Sequence, residues 1–308
     1  MGDALAPVVV FAYNRPDHLQ RTLDALAACR LAAQSTVHVY ADGPRKPEAA
    51  DAVAAVREAL AREATAGRFA ALHVHASPVN LGLANSIIRG VGQVLAEHDH
   101  VIVLEDDLLV APDFLAFMND CLRYYEHDPA VGAVTGFSPL ATLPAGCTGD
   151  VYLCRRTCSN GWGTWSDVWE RVDWRASGID GLNRSWPMRR AFNREGNDRY
   201  DRLRRQLAGR IDSWSIRFGL SLFLRGLGTV YPSVNRVANI GFDGTGVHCG
   251  TGVAMNDHVA ESAYTLRPLE IDPRIQRAFA RVYGGSVRGR LQRGLLAAFP
   301  RVAGWMGR

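Results

Sequence analysis

Lysine is almost absent from this chain of 308 residues: Lys46 is the only one, and 34 of the 35 basic side chains are arginine. A Walker-type phosphate loop, a Schiff-base enzyme and a protein kinase each need an ammonium group at a defined place. Lys46 lies in the turn-like Pro44-Arg45-Lys46-Pro47, which suits none of them. No apolar stretch approaches the roughly 20 residues of a membrane span, and Met1 to Pro7 is too short for a signal peptide, so a cytoplasmic protein is expected. Cysteine is sparse at six, with no second Cys/His pair to complete a zinc site beside Cys154 and Cys158, and all six read as free thiols. No Gly-x-Gly-x-x-Gly follows the first apolar run, which argues against a dinucleotide-binding oxidoreductase.

What is present is ordinary globular composition, 47% hydrophobic and 21% charged. The net charge of +4 is unevenly spread: residues 1–150 carry 10 basic and 18 acidic side chains, residues 151–308 carry 25 and 13. The acidic half and the lack of a recognisable reading motif oppose nucleic-acid binding. Arginine forks can bind phosphates, and coding bias in a GC-rich genome favours arginine over lysine.

Pro7 to Tyr13 reads as a buried strand stopped by Asn14-Arg15-Pro16, with Asp17 placed to cap a helix from His18 to Ala28. Strands at 36–40, 71–75 and 101–104 alternate with helices at about 47–68 and 80–97. Such alternation predicts an α/β fold, a Rossmann-like, mostly parallel central sheet flanked by helices, whose ligands bind at the carboxyl ends of the strands. After residue 108 the pattern becomes a mixed α+β half rich in Trp and Arg. The expected organisation is a catalytic domain over 1–265, divided into a nucleotide-binding half (1–108) and an acceptor-side half (109–265), then a basic amphipathic extension over 266–308. Residues 287–308 hold five arginines and no acid, as expected of a tail that either contacts anionic membrane or packs on the domain.

Glu105-Asp106-Asp107 directly follows the strand ending at Leu104. Three adjacent carboxylates need a cation to offset their repulsion, and hard oxygen ligands suit Mn²⁺ or Mg²⁺ completed by substrate phosphates. A solvated acidic turn ahead of the helix near Pro112-Asp113 is the plainer alternative.

The surrounding stretch, Val103-Leu-Glu-Asp-Asp-Leu-Leu-Val-Ala-Pro-Asp-Phe114, closely resembles the acidic motif of the N-acetylglucosaminyltransferase I family, glycosyltransferases of the A fold. Val10-Phe-Ala-Tyr-Asn-Arg-Pro16, Tyr40-Ala-Asp42, Gly161-Trp-Gly-Thr-Trp165, Arg210-Ile-Asp-Ser-Trp-Ser-Ile-Arg217 and Pro232 to Arg236 resemble further segments of that family, in order. Ser213 stands where the family has a second aspartate, and Arg217 falls one residue late.

The resemblance implies an inverting, metal-dependent transfer of a sugar from a nucleotide-diphosphate donor, UDP-linked and GlcNAc-like, to a hydroxyl of a glycan or lipid-linked acceptor. A bacterial surface polysaccharide or lipopolysaccharide is the expected setting. It implies that Arg15, Asp42, Asn85 and Asp106 bind the nucleotide, Asp107 the Mn²⁺ or Mg²⁺, and that Asp212 is the general base. His248, in a glycine-rich stretch, is a further metal or phosphate ligand on this reading. Glu105, Trp162 and Trp214 would form the sugar and acceptor wall. Plainer roles exist beside these: an Asp-Gly turn for Asp42, a helix N-cap for Asp212, a solvated loop for His248 and core packing for the tryptophans. The rival function is a non-catalytic nucleotide-sugar or glycan-binding relative, which the joint presence of Glu105-Asp106-Asp107 and Asp212 argues against. The basic half is better explained by an anionic acceptor or a membrane than by the donor.

Overall fold

A computed structural model describes residues 4–244, 256 and 258–284. The first half alternates as expected: β1 (Val8–Ala12), α1 (Pro16–Ala27), β2 (Thr36–Ala41), α2 (Ala50–Thr65), β3 (Ala71–Ala76), α3 (Leu83–Leu95) and β4 (His100–Glu105). The all-apolar β1 is buried at every position, whereas β2 alternates, with Val37, Val39 and Ala41 inward. α1 starts two residues earlier than the reading from Asp17. Pro16 opens it, where the missing N–H removes no helical bond, and no side chain caps it.

β5 (Leu108–Val110), α4 (Phe114–Tyr124), β6 (Val131–Thr135), β7 (Val151–Cys154) and β8 (Trp162–Trp165) follow. Short helices α5 (Ser166–Glu170), α6 (Ile179–Arg184), α7 (Trp186–Phe192) and α8 (Arg199–Leu207) form the Trp- and Arg-rich insert. α9 (Trp214–Leu224), β9 (Gly228–Pro232), β10 (Val237–Asn239) and α10 (Pro273–Val282) complete the elements of the described residues.

Eight strands make one sheet in the order β3-β2-β1-β4-β8-β6-β9-β7. β1 pairs in parallel with β2 and β4, β2 with β3, and β6 with β9. β8 runs antiparallel between β4 and β6, and β7 antiparallel to β9. The mostly parallel α/β sheet flanked by helices is therefore present, with the mixed pairing confined to the second half. A separate antiparallel ribbon, β5 with β10, sets Leu108 opposite Asn239 and ties the chain just after the three carboxylates to the segment before Gly241.

That ribbon is pinned by a buried ion pair. Arg236 Nε donates to Asp113 Oδ2 at 2.9 Å, and both side chains are at most 1% exposed. Its other nitrogens donate to the carbonyls of Val234 and Ser262, and the guanidinium lies 4.4 Å from the centre of the Phe117 ring. Asp113, the aspartate of the Ala-Pro-Asp-Phe stretch, thus holds two distant segments together and does not cap α4.

The expected boundary at residue 265 cuts through packed structure. Tyr125 Oη donates to the Arg267 carbonyl, Ile271 bridges Leu153, and α10 buries Ile275 and Phe279 in a cluster with Tyr152 and Tyr231. Residues 287–308, the expected tail, lie outside the described residues, as do His248 and Cys249. Cys29, Cys121, Cys147, Cys154 and Cys158 are free thiols. Among the described residues no helix is long and apolar enough to cross a membrane.

Candidate active site

The carboxyl ends of β1, β2 and β4 open into one cavity of about 800 Å³, a size typical of small-ligand sites. Arg15, Asp42, Glu105, Asp106, Asp107, Asp212 and Trp214 all line it. Parallel strands end on the same side of a sheet, so 92 residues of chain separate Arg15 from an Asp107 that it touches.

Asp42 ends β2 and is 8% exposed. Its Oδ1 accepts from Gly43 N–H at 2.9 Å and Leu81 N–H at 2.8 Å, and its Oδ2 from Gly82 N–H at 3.0 Å. An Asp-Gly turn is therefore real, but the carboxylate also orders the entry to α3. With two lone pairs per oxygen, Oδ2 retains one acceptor site for a ligand N–H. Gly82 has φ +77°, and a Cβ there would sit 3.2 Å from Asp212 Oδ2. Glycine answers both demands.

Asp212 precedes α9 by two residues, yet it does not cap that helix. Its Oδ2 accepts from Ala84 N–H at 3.3 Å, at the amino end of α3. Because Gly82, the residue at that helix's N-cap, has no side chain, Asp42 and Asp212 supply the acceptors from two other parts of the chain.

The acidic motif is packed around one cation. Arg15 Nη2 donates to Asp106 and, at 2.9 Å, to Asp107 Oδ2. Tyr13 N–H also donates to Asp106, whose backbone carbonyl accepts from Thr22 Oγ1. Burial pushes the Glu105 carboxyl up to about 8, with Asp107 and Asp106 adding to the rise and Arg15 opposing it. Burial likewise lifts Asp106 to about 6 against the pull of Arg15. Burial alone would lower Arg15, but the charges of Asp106 and Asp107 carry it above its usual value. One guanidinium thus faces three carboxylates.

These residues fit a hard divalent cation. Asp107 Oδ1 is buried and has no hydrogen-bond partner, and a hydrated Mn²⁺ or Mg²⁺ accepts one or two carboxylates with the rest of its shell from phosphates and water. Among the described residues no three His, Cys, Asp or Glu side chains could hold a metal by themselves, so an ion here would draw on substrate oxygens. The space is tight: a Cβ on Gly241 would lie 2.2 Å from Asp107 Oδ2.

Two expected positions do not line the cavity. Asn85 is exposed, donates to the Leu81 carbonyl and does not line the cavity; Ser86, the next residue on α3, does. Trp162 is a core residue, 1% exposed and stacked on Trp214 with centroids 4.6 Å apart, and it stands behind the wall. Trp214, though only 2% exposed, reaches the cavity. Lining residues not singled out from the sequence include Tyr13, Arg45, Asn80, Asn160, Arg202 and Arg205. Tyr13 Oη accepts from Arg45 N–H, and Asn80 Nδ2 donates to the Gly43 carbonyl, which braces the β2 exit. Lys46, beside Arg45, is exposed.

Residues 6–157, just under half of the chain, match the family model described as Glycosyltransferase like family 2. A search among curated proteins finds no match. Solved structures similar to this chain include TarS of S. aureus, at 13% identity and a TM-score of 0.40, covering 75% of this chain and 37% of that one. Another is an active-site mutant of LgtC, at 14% identity and a TM-score of 0.40, covering 72% of each. The chain thus spans little more than a third of the TarS structure.

Proposed function

We propose that this chain, whose residues 6–157 match the Glycosyltransferase like family 2 model, is a glycosyltransferase of the A fold that transfers a sugar with inversion from a nucleotide-diphosphate donor to an acceptor hydroxyl. The observation that carries this reading is the convergence of Asp42, Glu105-Asp106-Asp107 and Asp212 on one cavity. The resemblance of the acidic motif to the N-acetylglucosaminyltransferase I family supports a UDP-linked, GlcNAc-like donor and a glycan or lipid-linked saccharide as acceptor.

Asp42 Oδ2 accepts the imide N–H of the base with its remaining lone pair. Arg15 and Asp106 take the ribose and diphosphate side, Arg15 supplying a fork for phosphate oxygens. Asp107 is the residue to hold Mn²⁺ or Mg²⁺, which when bound neutralises the departing diphosphate as a Lewis acid. Glu105 and Trp214 face the sugar. Asp212 takes the proton of the acceptor hydroxyl as that oxygen bonds to the anomeric carbon, while the bond from that carbon to the diphosphate oxygen breaks on the opposite face. One proton moves to Asp212 and the electron pair leaves with the nucleoside diphosphate.

Incubation with UDP-sugars and Mn²⁺, following UDP release and the product's anomeric configuration, tests this. UDP release with an inverted product is expected. No UDP affinity with either metal, or a retained configuration, would overturn it.

A further inference from the structure

α8 contributes Arg202 and Arg205 to the lining of the same cavity as the acidic motif, three positions apart and so on one helix face. Arg205 is exposed and the Arg202 side chain is 40% exposed, so both are open to a ligand entering the cavity. Among the described residues the one carboxylate within ion-pair reach of Arg202 is Asp198, at 3.9 Å, and both Asp198 oxygens already accept from Arg156 at 2.8 Å. Arg205 has no ion-pair partner among the described residues. Arg199, one step further back on the same face, is buried and makes its own bonds to Glu195 and the Phe192 carbonyl, so it cannot relieve them. Arg156 and Arg202 therefore share one aspartate, and Arg205 adds a further like charge beside Arg202. Burial, then the charge of Arg156, holds Arg202 below its usual value. Keeping uncompensated cations together in a cleft is unfavourable unless an anion arrives to balance them.

We propose that Arg202 and Arg205 form an acceptor subsite for an oxyanion, so that the enzyme glycosylates a saccharide bearing a phosphate or carboxylate near its attacking hydroxyl. This rests on the transferase reading above. The pair sits on α8, a few residues before Asp212 in the chain, whereas Arg15 and Arg45 follow the ends of β1 and β2. The base and the oxyanion subsite thus come from one stretch of chain, as suits an acceptor that must meet both. Planar guanidinium forks recognise phosphate and carboxylate alike, and the two differ only in which acceptor supplies them.

The test is calorimetry on the full chain with UDP and Mn²⁺ present, titrating N-acetylglucosamine 6-phosphate against N-acetylglucosamine, and glucuronic acid against glucose. The unaltered protein should bind at least one charged sugar about tenfold or more tightly than its neutral partner, and which charged sugar is preferred separates the phosphate from the carboxylate source. The variant R202Q/R205Q should erase that preference while UDP affinity is kept; R205Q alone, altering an exposed side chain, should weaken it without touching the α8 interior. No preference in the unaltered protein, or a preference that survives both substitutions, would overturn the proposal. Loss of UDP affinity in R202Q/R205Q would assign the pair to the donor diphosphate and equally overturn it. Absence of UDP affinity in the unaltered protein would instead sink the transferase reading, and this proposal with it.

Discussion

Asp212 and Ala84 stand 128 positions apart, and the Asp212 carboxylate accepts the Ala84 amide N–H at 3.3 Å. The segment before α9 is thereby tied to the helix whose amino end lies beside Asp42. One Asp212 oxygen is committed to that amide, while the same side chain lines the cavity.

Replacing Asp212 by Asn separates the two duties. Asparagine still accepts from Ala84 N–H, so α3, the fold and UDP affinity should be kept. Turnover should drop by about 10²- to 10⁴-fold, read as UDP release with saturating donor and acceptor. Unchanged turnover would place the base elsewhere.

Gly241→Ala tests the metal position without touching a carboxylate. Its methyl would meet Asp107 Oδ2 at 2.2 Å and Arg15 Nη1 at 3.0 Å, and one of them must move. Mn²⁺-dependent UDP affinity should fall about tenfold or more, matching the direction of Asp107→Ala. Equal affinity in both variants and the unaltered protein would show that Asp107 is not the ligand.

Asp113→Ala leaves the Arg236 guanidinium buried without its counter-ion. Breaking a buried pair from one side costs about 3–5 kcal/mol, which denaturant unfolding should register as a lower midpoint. A loss below about 1 kcal/mol would mean that the carbonyls of Val234 and Ser262 suffice for the charge.

Acid sensitivity should trace in part to His38. Burial first, then His73, His75 and His98, lowers it to about 4, and its Nδ1 lies 3.2 Å from His75 Nε2. Above about pH 6.5 the ring is neutral whether the chain is folded or not. Between there and about 4 the unfolded chain takes a proton that the folded one refuses, so stability declines as pH falls through that window. Thermal melts from pH 7.5 to 4.5 should show a shallower decline for His38→Gln, and identical slopes would remove His38 from the account.

The nucleotide half was readable because its signals are local. The apolar runs of β1 and β4 and the polar residues stopping them place Arg15, Asp42 and Asp107 at neighbouring strand ends through the parallel-sheet rule alone. What the sequence could not convey is phase and long-range pairing. A helix turns about 100° per residue, so a one-residue uncertainty decided between Asn85 and Ser86. Trp162 and Trp214 carry the same apolar signal, and only packing sends one into the core and the other to the cavity. The i, i+3 spacing of Arg202 and Arg205 was visible, but nothing local says that α8 folds back over the strand ends. α10 was hidden for a similar reason, since its partners Tyr152 and Tyr231 lie on β7 and β9.

The arginine-rich composition has a practical side. Arg236 shows why arginine is not interchangeable with lysine here, because its fork serves Asp113 and two carbonyls at once. With Lys46 as the sole side-chain amine, exposed next to the cavity-lining Arg45, an amine-reactive fluorophore has a single side-chain address. The dye would ride beside that cavity, where it could report the binding of the proposed nucleotide donor without any engineered cysteine.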